Sequence, residues 1–156
     1  MVASLENLRI NLSIDIATGD IITPREIKYF YPLMFEERKL PIYSYNVETI
    51  IAEKLQALVS LKGLNSRTKD FYDLYFLFKQ NEKYFDIATT KEAIKATFKR
   101  REMNLEDILE VVDSLYNNRF LKERWEVYRS KYSFVEKVEF KEVLDMINEE
   151  VKKLGL

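Results

Sequence analysis

A chain of 156 residues, 47% apolar and 33% charged with a formal net charge of -1, can build one cored domain or such a domain with an appended helical lobe. Its balanced charge excludes a global positive field, so any RNA or DNA contact must come from a local patch. The absence of cysteine and histidine removes disulfides, thiolate and imidazole metal sites, and Ser-His or Cys-His catalysis, leaving carboxylates, Lys, Arg, Tyr or a hard oxygen-bound metal.

Residues 8–16 alternate, with Leu8, Ile10, Leu12, Ile14 and Ile16 on one side and Arg9, Asn11, Ser13 and Asp15 on the other. The pattern predicts a strand of a sheet buried on one face, with Asp15 on the open face. Ala17-Thr18-Gly19-Asp20 reads as a turn, with Asp20 in turn chemistry. Residues 27–35 are aromatic but bounded by Pro24 and interrupted by Pro32, which suits a short strand running into a loop; residues 41–45 form another. From Asn46 the period becomes helical. Val47, Ile50, Ile51, Leu55, Leu58 and Val59 make an apolar stripe that Gly63 can stop, and a second helix starts at Asn65 or Ser66. The Thr89-x-x-Glu92 capping-box pattern opens a third, and Asn104 is the expected N-cap of a fourth. A fifth covers 120–132 and a sixth runs from Phe140 to Gly155. These elements predict a helix-dominant α+β fold, with a β-rich segment over 1–45 and a helical bundle over 46–156. Ten Phe, ten Tyr and one Trp supply ample core. No apolar run approaches the ~18 residues of a membrane span and no signal-peptide pattern is present, so a cytoplasmic location is expected.

Lys54 falls inside the first helical stripe, four residues after Ile50 and four before Leu58. It must either snorkel out or meet a carboxylate. If the first two helices pack antiparallel across their short connection, Asp70 is the natural partner, although an acid in a first helical turn also complements the helix dipole. Asp73 reads as structural, paired with Lys69 or bonded to a tyrosine hydroxyl. Lys95, Lys99, Arg100 and Arg101 form a basic helix end, which suits either the dipole or a clamp on triphosphate or RNA backbone. The aromatic stripe containing Tyr72, Tyr75, Phe76 and Phe78 reads as core rather than a base-stacking platform. Glycines 19, 63 and 155 are too dispersed for a phosphate-binding loop.

Three segments carry a resemblance. They are Ile14-Asp15-Ile16-Ala17-Thr18-Gly19-Asp20 with Thr23-Pro24, then Tyr45-x-x-Glu48-Thr49-Ile50-Ile51-Ala52-Glu53-Lys54-Leu55-Gln56-Ala57, then Asn65-Ser66-Arg67-x-Lys69-Asp70-Phe71-Tyr72-Asp73-Leu74-Tyr75. In order and spacing, over about residues 8–101, the chain resembles the C-terminal part of AbiEii/AbiGii-type nucleotidyltransferase toxins. The resemblance implies part of a nucleotidyltransferase palm sheet followed by a helical bundle. It also implies Mg²⁺-dependent transfer from an NTP to an acceptor such as tRNA or another RNA, and a cognate antitoxin as partner. Lys54 and Asp70 fall in its functional motifs, with Lys54 toward phosphate, and Asp15 stands where a metal-binding carboxylate is expected. Lys69, Arg100 and Arg101 join these as nucleotide or RNA contacts.

The family's Gly-Ser turn and Asp-x-Asp strand occur nowhere in these residues. A C-terminal part of a longer protein, or a truncated one, is therefore expected, with little transferase activity by itself. The other readings are a non-catalytic interaction module that binds an antitoxin or self-associates, and an RNA-binding helical domain using residues 95–101.

Overall fold

The computed structural model describes residues 2–14, 16, 18–62, 67–80 and 83–156. Among them the chain is α+β and helix-dominant, with four strands before Asn46 and six helices after it. Strands β1 (Val2–Leu5) and β2 (Leu8–Asn11) form one antiparallel hairpin, and β3 (Ile27–Pro32) and β4 (Lys39–Ser44) another; among the described residues no ladder joins the two.

The first predicted strand is shorter than its alternation, because β2 ends at Asn11. Its apolar side chains are not buried either: Leu8, Ile10, Leu12 and Ile14 are exposed. Alternation reports which residues share a face, but burial needs a second layer on that face, and a two-stranded ribbon does not supply one. Asp15, Gly63, Asn65 and Ser66 lie outside the described residues.

The helices hold the core. Helix α1 (Val47–Leu61) starts where the Asn46 side chain accepts a hydrogen bond from the Thr49 amide. Its buried face carries Ile51, Ala52, Leu55, Leu58 and Val59. Helix α2 (Thr68–Lys79) buries Phe71, Leu74, Tyr75 and Phe78, while Phe76 is 47% exposed and Tyr72 half-buried. The aromatic stripe is thus core on one side only. Helix α3 (Ile87–Arg100) is capped by Asp86, whose carboxylate accepts from the Thr89 amide, so Thr89 sits in the first turn rather than at the cap. Helix α4 (Asp107–Leu115) follows Glu106 without a side-chain cap, not Asn104. Asn118 caps α5 (Arg119–Lys131) by accepting from the Leu121 amide. Helix α6 (Phe140–Lys153) ends before Gly155, whose φ of +65° is the left-handed conformation glycine adopts without strain. Helix α1 packs chiefly on α3 and α2 chiefly on α6, with further α1–α2 and α4–α6 contact. Trp125 is fully buried, its indole N–H donating to the Val138 carbonyl at 2.9 Å.

The chain before α1 is fastened to the bundle at two places. The Asn46 amide donates to the carbonyls of Thr23 and Arg25 at 2.7 and 3.0 Å, and the Thr23 amide donates to Thr49 Oγ1 at 3.1 Å. Further on, Arg100 Nε donates to the Gly19 carbonyl at 3.2 Å, which brings residues 18–20 onto the end of α3. Among the described residues, no helix is long and apolar enough to cross a membrane.

Candidate functional site

Lys54 leaves α1 from inside its apolar stripe and meets α2 across the short connection between the two helices. Its ammonium donates to Asp70 Oδ1 at 2.8 Å and also lies 2.7 Å from Asp73 Oδ2. The three side chains are 20%, 16% and 26% exposed, so the group is largely but not fully withdrawn from water. Burial, the largest single influence on Lys54, favours its neutral form. The hydrogen bonds and charges of Asp70 and Asp73 together outweigh it and hold the lysine above its ordinary pKa. Asp73 therefore belongs with Lys54 and Asp70, rather than to the surface pair or tyrosine bond read from the sequence.

A second group stands one residue earlier on α1. Arg101 places one guanidinium nitrogen 2.8 Å from Asp20 Oδ1 and 3.9 Å from Glu53 Oε2. Tyr45 donates to Asp20 Oδ2 at 2.8 Å, and Thr97 donates to Glu53 Oε1 at 3.3 Å. Burial, followed by the nearby Asp20 charge, raises the Glu53 pKa, and Arg101 and Thr97 pull against that. Tyr45 is also raised, chiefly by its hydrogen bond to Asp20. Neither Glu53 nor Asp20 was identifiable as a site residue from the sequence. Their partners lie between 25 and 81 residues away along the chain, and no local spacing reports that.

The two groups face one open cleft of about 520 Å³, whose lining includes Tyr45, Glu53, Lys54, Arg67, Asp70 and Arg101, with Ile50 and Ala57 among its apolar surface. Of the residues picked out in the sequence, the structure brings Lys54, Asp70 and Arg101 together here. Arg100 points instead at the Gly19 carbonyl. Lys69 is exposed on α2 and is not part of the cleft lining. Lys95 and Lys99 line a separate hollow of about 500 Å³ with Phe98, Met103 and Leu105.

The resemblance implies a divalent cation, which would need several free carboxylate oxygens. Asp70 and Asp73 already share the Lys54 ammonium, and among the described residues no three carboxylates gather as a metal cage. These residues do not fit a magnesium ion by themselves, and Asp15 lies outside the described residues.

Comparison with known proteins gives one result. The model of the nucleotidyl transferase AbiEii toxin family, of type IV toxin–antitoxin systems, matches residues 1–146. Neither the curated proteins nor the solved structures gave a significant match. The match spans nearly the whole chain, including the Lys54 and Asp70 segments that line the cleft, and the chain belongs to the AbiEii nucleotidyl transferase toxin family.

Proposed function

We propose that the cleft between α1, α2 and the end of α3 is the phosphate-facing part of a nucleotidyltransferase site. It would take the triphosphate of an NTP for transfer to an RNA acceptor such as tRNA, within a toxin–antitoxin system whose antitoxin is the cognate partner. The observation that carries this reading is the convergence of Lys54, Arg67 and Arg101 on one open cleft. Lysine supplies a compact charge to a phosphoryl oxygen, and arginine a fork of donors.

The same geometry supports inactivity of the chain alone. Around the cleft three cations meet four carboxylates, Asp20, Glu53, Asp70 and Asp73, and Lys54 is held by two of these. A bare triphosphate must compete with those acids for the lysine. The magnesium ion belongs to the proposed complete reaction, but its ligands are not supplied by the Asp70–Asp73 pair.

The test separates binding from transfer. Titration with each NTP should show weak binding that Lys54→Ala abolishes, and the chain incubated with magnesium, labelled NTPs and total tRNA should incorporate no label. Robust labelling that depends on Lys54 would overturn the proposed inactivity. Failure of every NTP to bind would overturn the cleft assignment.

A second reading, a non-catalytic interaction module, rests on a different observation. Both hairpins leave apolar side chains in water, among them Leu8, Ile10, Tyr29, Phe30, Leu40 and Ile42. Exposed apolar surface of this kind marks association sites.

A further inference from the structure

The β3–β4 hairpin is asymmetric in a way that its hydrogen-bond register makes explicit. The two strands pair with Ile27 opposite Ser44, Tyr29 opposite Ile42 and Phe30 opposite Pro41. The turn closes with the Leu33 amide donating to the Arg38 carbonyl at 3.1 Å, in the same register. Antiparallel ladders alternate between pairs that exchange hydrogen bonds and pairs that do not. Counting back from Leu33–Arg38, the pairs at Tyr31, Tyr29 and Ile27 exchange bonds across the hairpin. The backbone groups of Lys28 and Phe30 on β3, and of Lys39, Pro41 and Tyr43 on β4, therefore point outward.

Pro41 has no N–H, so it removes the central donor from the outer edge of β4. Edge strands are commonly blunted in this way. The outer edge of β3 carries no such block between Ile27 and Tyr31, and β4 is its only ladder neighbour among the described residues. One face of the hairpin is apolar except at Ser44, with Ile27, Tyr29, Tyr31, Leu40 and Ile42 between 40% and 51% exposed.

From this geometry we infer that β3 is a dimerisation edge, joined antiparallel to β3 of a second copy about a two-fold axis at Tyr29. Side chains of paired residues must share a face, so a two-fold pairing must place the axis on a residue rather than between two. With the axis at Tyr29, Lys28 of each copy lies opposite Phe30 of the other. These are the residues whose backbone groups point outward, so the two pairs exchange four hydrogen bonds. No like charges meet across the axis. Lys28 already lies over the Phe30 ring of its own chain at 5.7 Å, and gains a second ring from the other copy. Ile27 falls opposite Tyr31, and Tyr29 opposite its own copy, so the apolar face becomes continuous over four strands. A two-stranded ribbon thereby becomes a sheet large enough to be stable. Tyr45 follows β4 directly and lines the cleft, so the pairing fixes the relation of the two clefts. The inference is independent of the transferase reading.

Sedimentation equilibrium tests it on the full chain. The wild type is expected to behave as a dimer. Phe30→Pro, which removes an outward donor without touching the ladder to β4, should give a monomer. Tyr43→Pro, the matching change at the other edge, should leave the dimer intact. Cross-linking supplies an arm that does not depend on proline being tolerated, because the chain has no cysteine of its own. Tyr29 and its copy form a non-hydrogen-bonded pair with Cα atoms about 4.5 Å apart, within disulfide reach. Tyr29→Cys should then oxidise to a covalent dimer, whereas Ile27→Cys should not, its two copies lying about 14 Å apart along the strands. A monomeric wild type at every concentration, a dimer unaffected by Phe30→Pro, or equal cross-linking of the two cysteine variants would overturn the inference.

Discussion

Lys54 is held between two carboxylates on the next helix, and replacing it by Met leaves Asp70 and Asp73 facing each other with little water to screen them. Stranded partners of a mostly buried ion group cost about 1–3 kcal/mol. Lys54→Met is expected to lower the urea midpoint accordingly, and Lys54→Met/Asp70→Asn/Asp73→Asn to recover most of the loss. A single variant as stable as wild type would show that the acids are solvated after all. The pH dependence has a definite sign. Lys54 is raised in the folded chain, so its contribution is whole below the free lysine value of about 10.4 and is lost as pH rises through the folded value. The triple variant should lack that alkaline loss.

Glu53 behaves oppositely. Burial and Asp20 raise its pKa, so the ionised carboxylate costs stability, and that cost fades as pH falls through the folded value toward about 4.3. Glu53→Gln should be neutral or stabilising at pH 7, and its advantage over wild type should shrink on acidification. An advantage that does not change between pH 7 and 4 would mean that the charge of Glu53 is not the cause. The contrast also explains what was legible. Lys54 was visible because a charge inside an apolar stripe violates a local period, and Asp70 because a short connection brings the next helix back beside it, whereas Glu53 takes its character from Asp20 and Arg101, which no local period connects to it.

At the scale of elements, the helices follow from the apolar stripes, but their starts are decided by which side chain reaches a free amide. Asn46 does more than cap α1, because its amide also holds the Thr23 and Arg25 carbonyls while its oxygen accepts from Thr49. Asn46→Ala loses a cap and two part-buried hydrogen bonds and is expected to cost about 2–4 kcal/mol. Asn118→Ala, the cap of α5, should cost about 1 kcal/mol. Chemical denaturation of the two variants reads the difference, and equal losses would mean that the 23–25 segment is not fastened through Asn46. The third helix shows why cap positions were only partly legible. Asp86-x-x-Thr89 and Thr89-x-x-Glu92 are overlapping patterns, and the better one starts three residues earlier. Asp86 accepts from the Thr89 amide and, less strongly, from the Thr89 hydroxyl, and both bonds lower its pKa, so Asp86→Ala, which loses both, should destabilise α3 more than Thr89→Ala, which keeps the amide bond.

The molecule as a whole divides by how its surfaces are covered. Helices α1, α2, α3 and α6 bury one another's apolar faces, with Ile51, Leu55, Leu74 and Ile147 fully enclosed. The Leu8–Asn11 strand was legible as period-two alternation, but its surroundings were not, because alternation is blind to whether a second layer exists. This sets a hierarchy of local stability. Backbone hydrogen bonds in an uncovered ribbon open without exposing new core, whereas those of α1 open only when the bundle does. Hydrogen exchange on the Phe30→Pro chain, which removes the proposed pairing, should therefore find the Tyr29 and Tyr31 amides exchanging orders of magnitude faster than those of Ile51, Leu55 and Leu74. In the wild type the Lys28 amide, which points away from β4, is the informative probe. It should be as unprotected as any surface amide if the hairpin stands alone, and should slow together with Tyr29 and Tyr31 if a second copy occupies the edge. Fast exchange at Lys28 beside slow exchange at Tyr29 in the wild type would show that the hairpin is stabilised from its face instead, and would move the association site there.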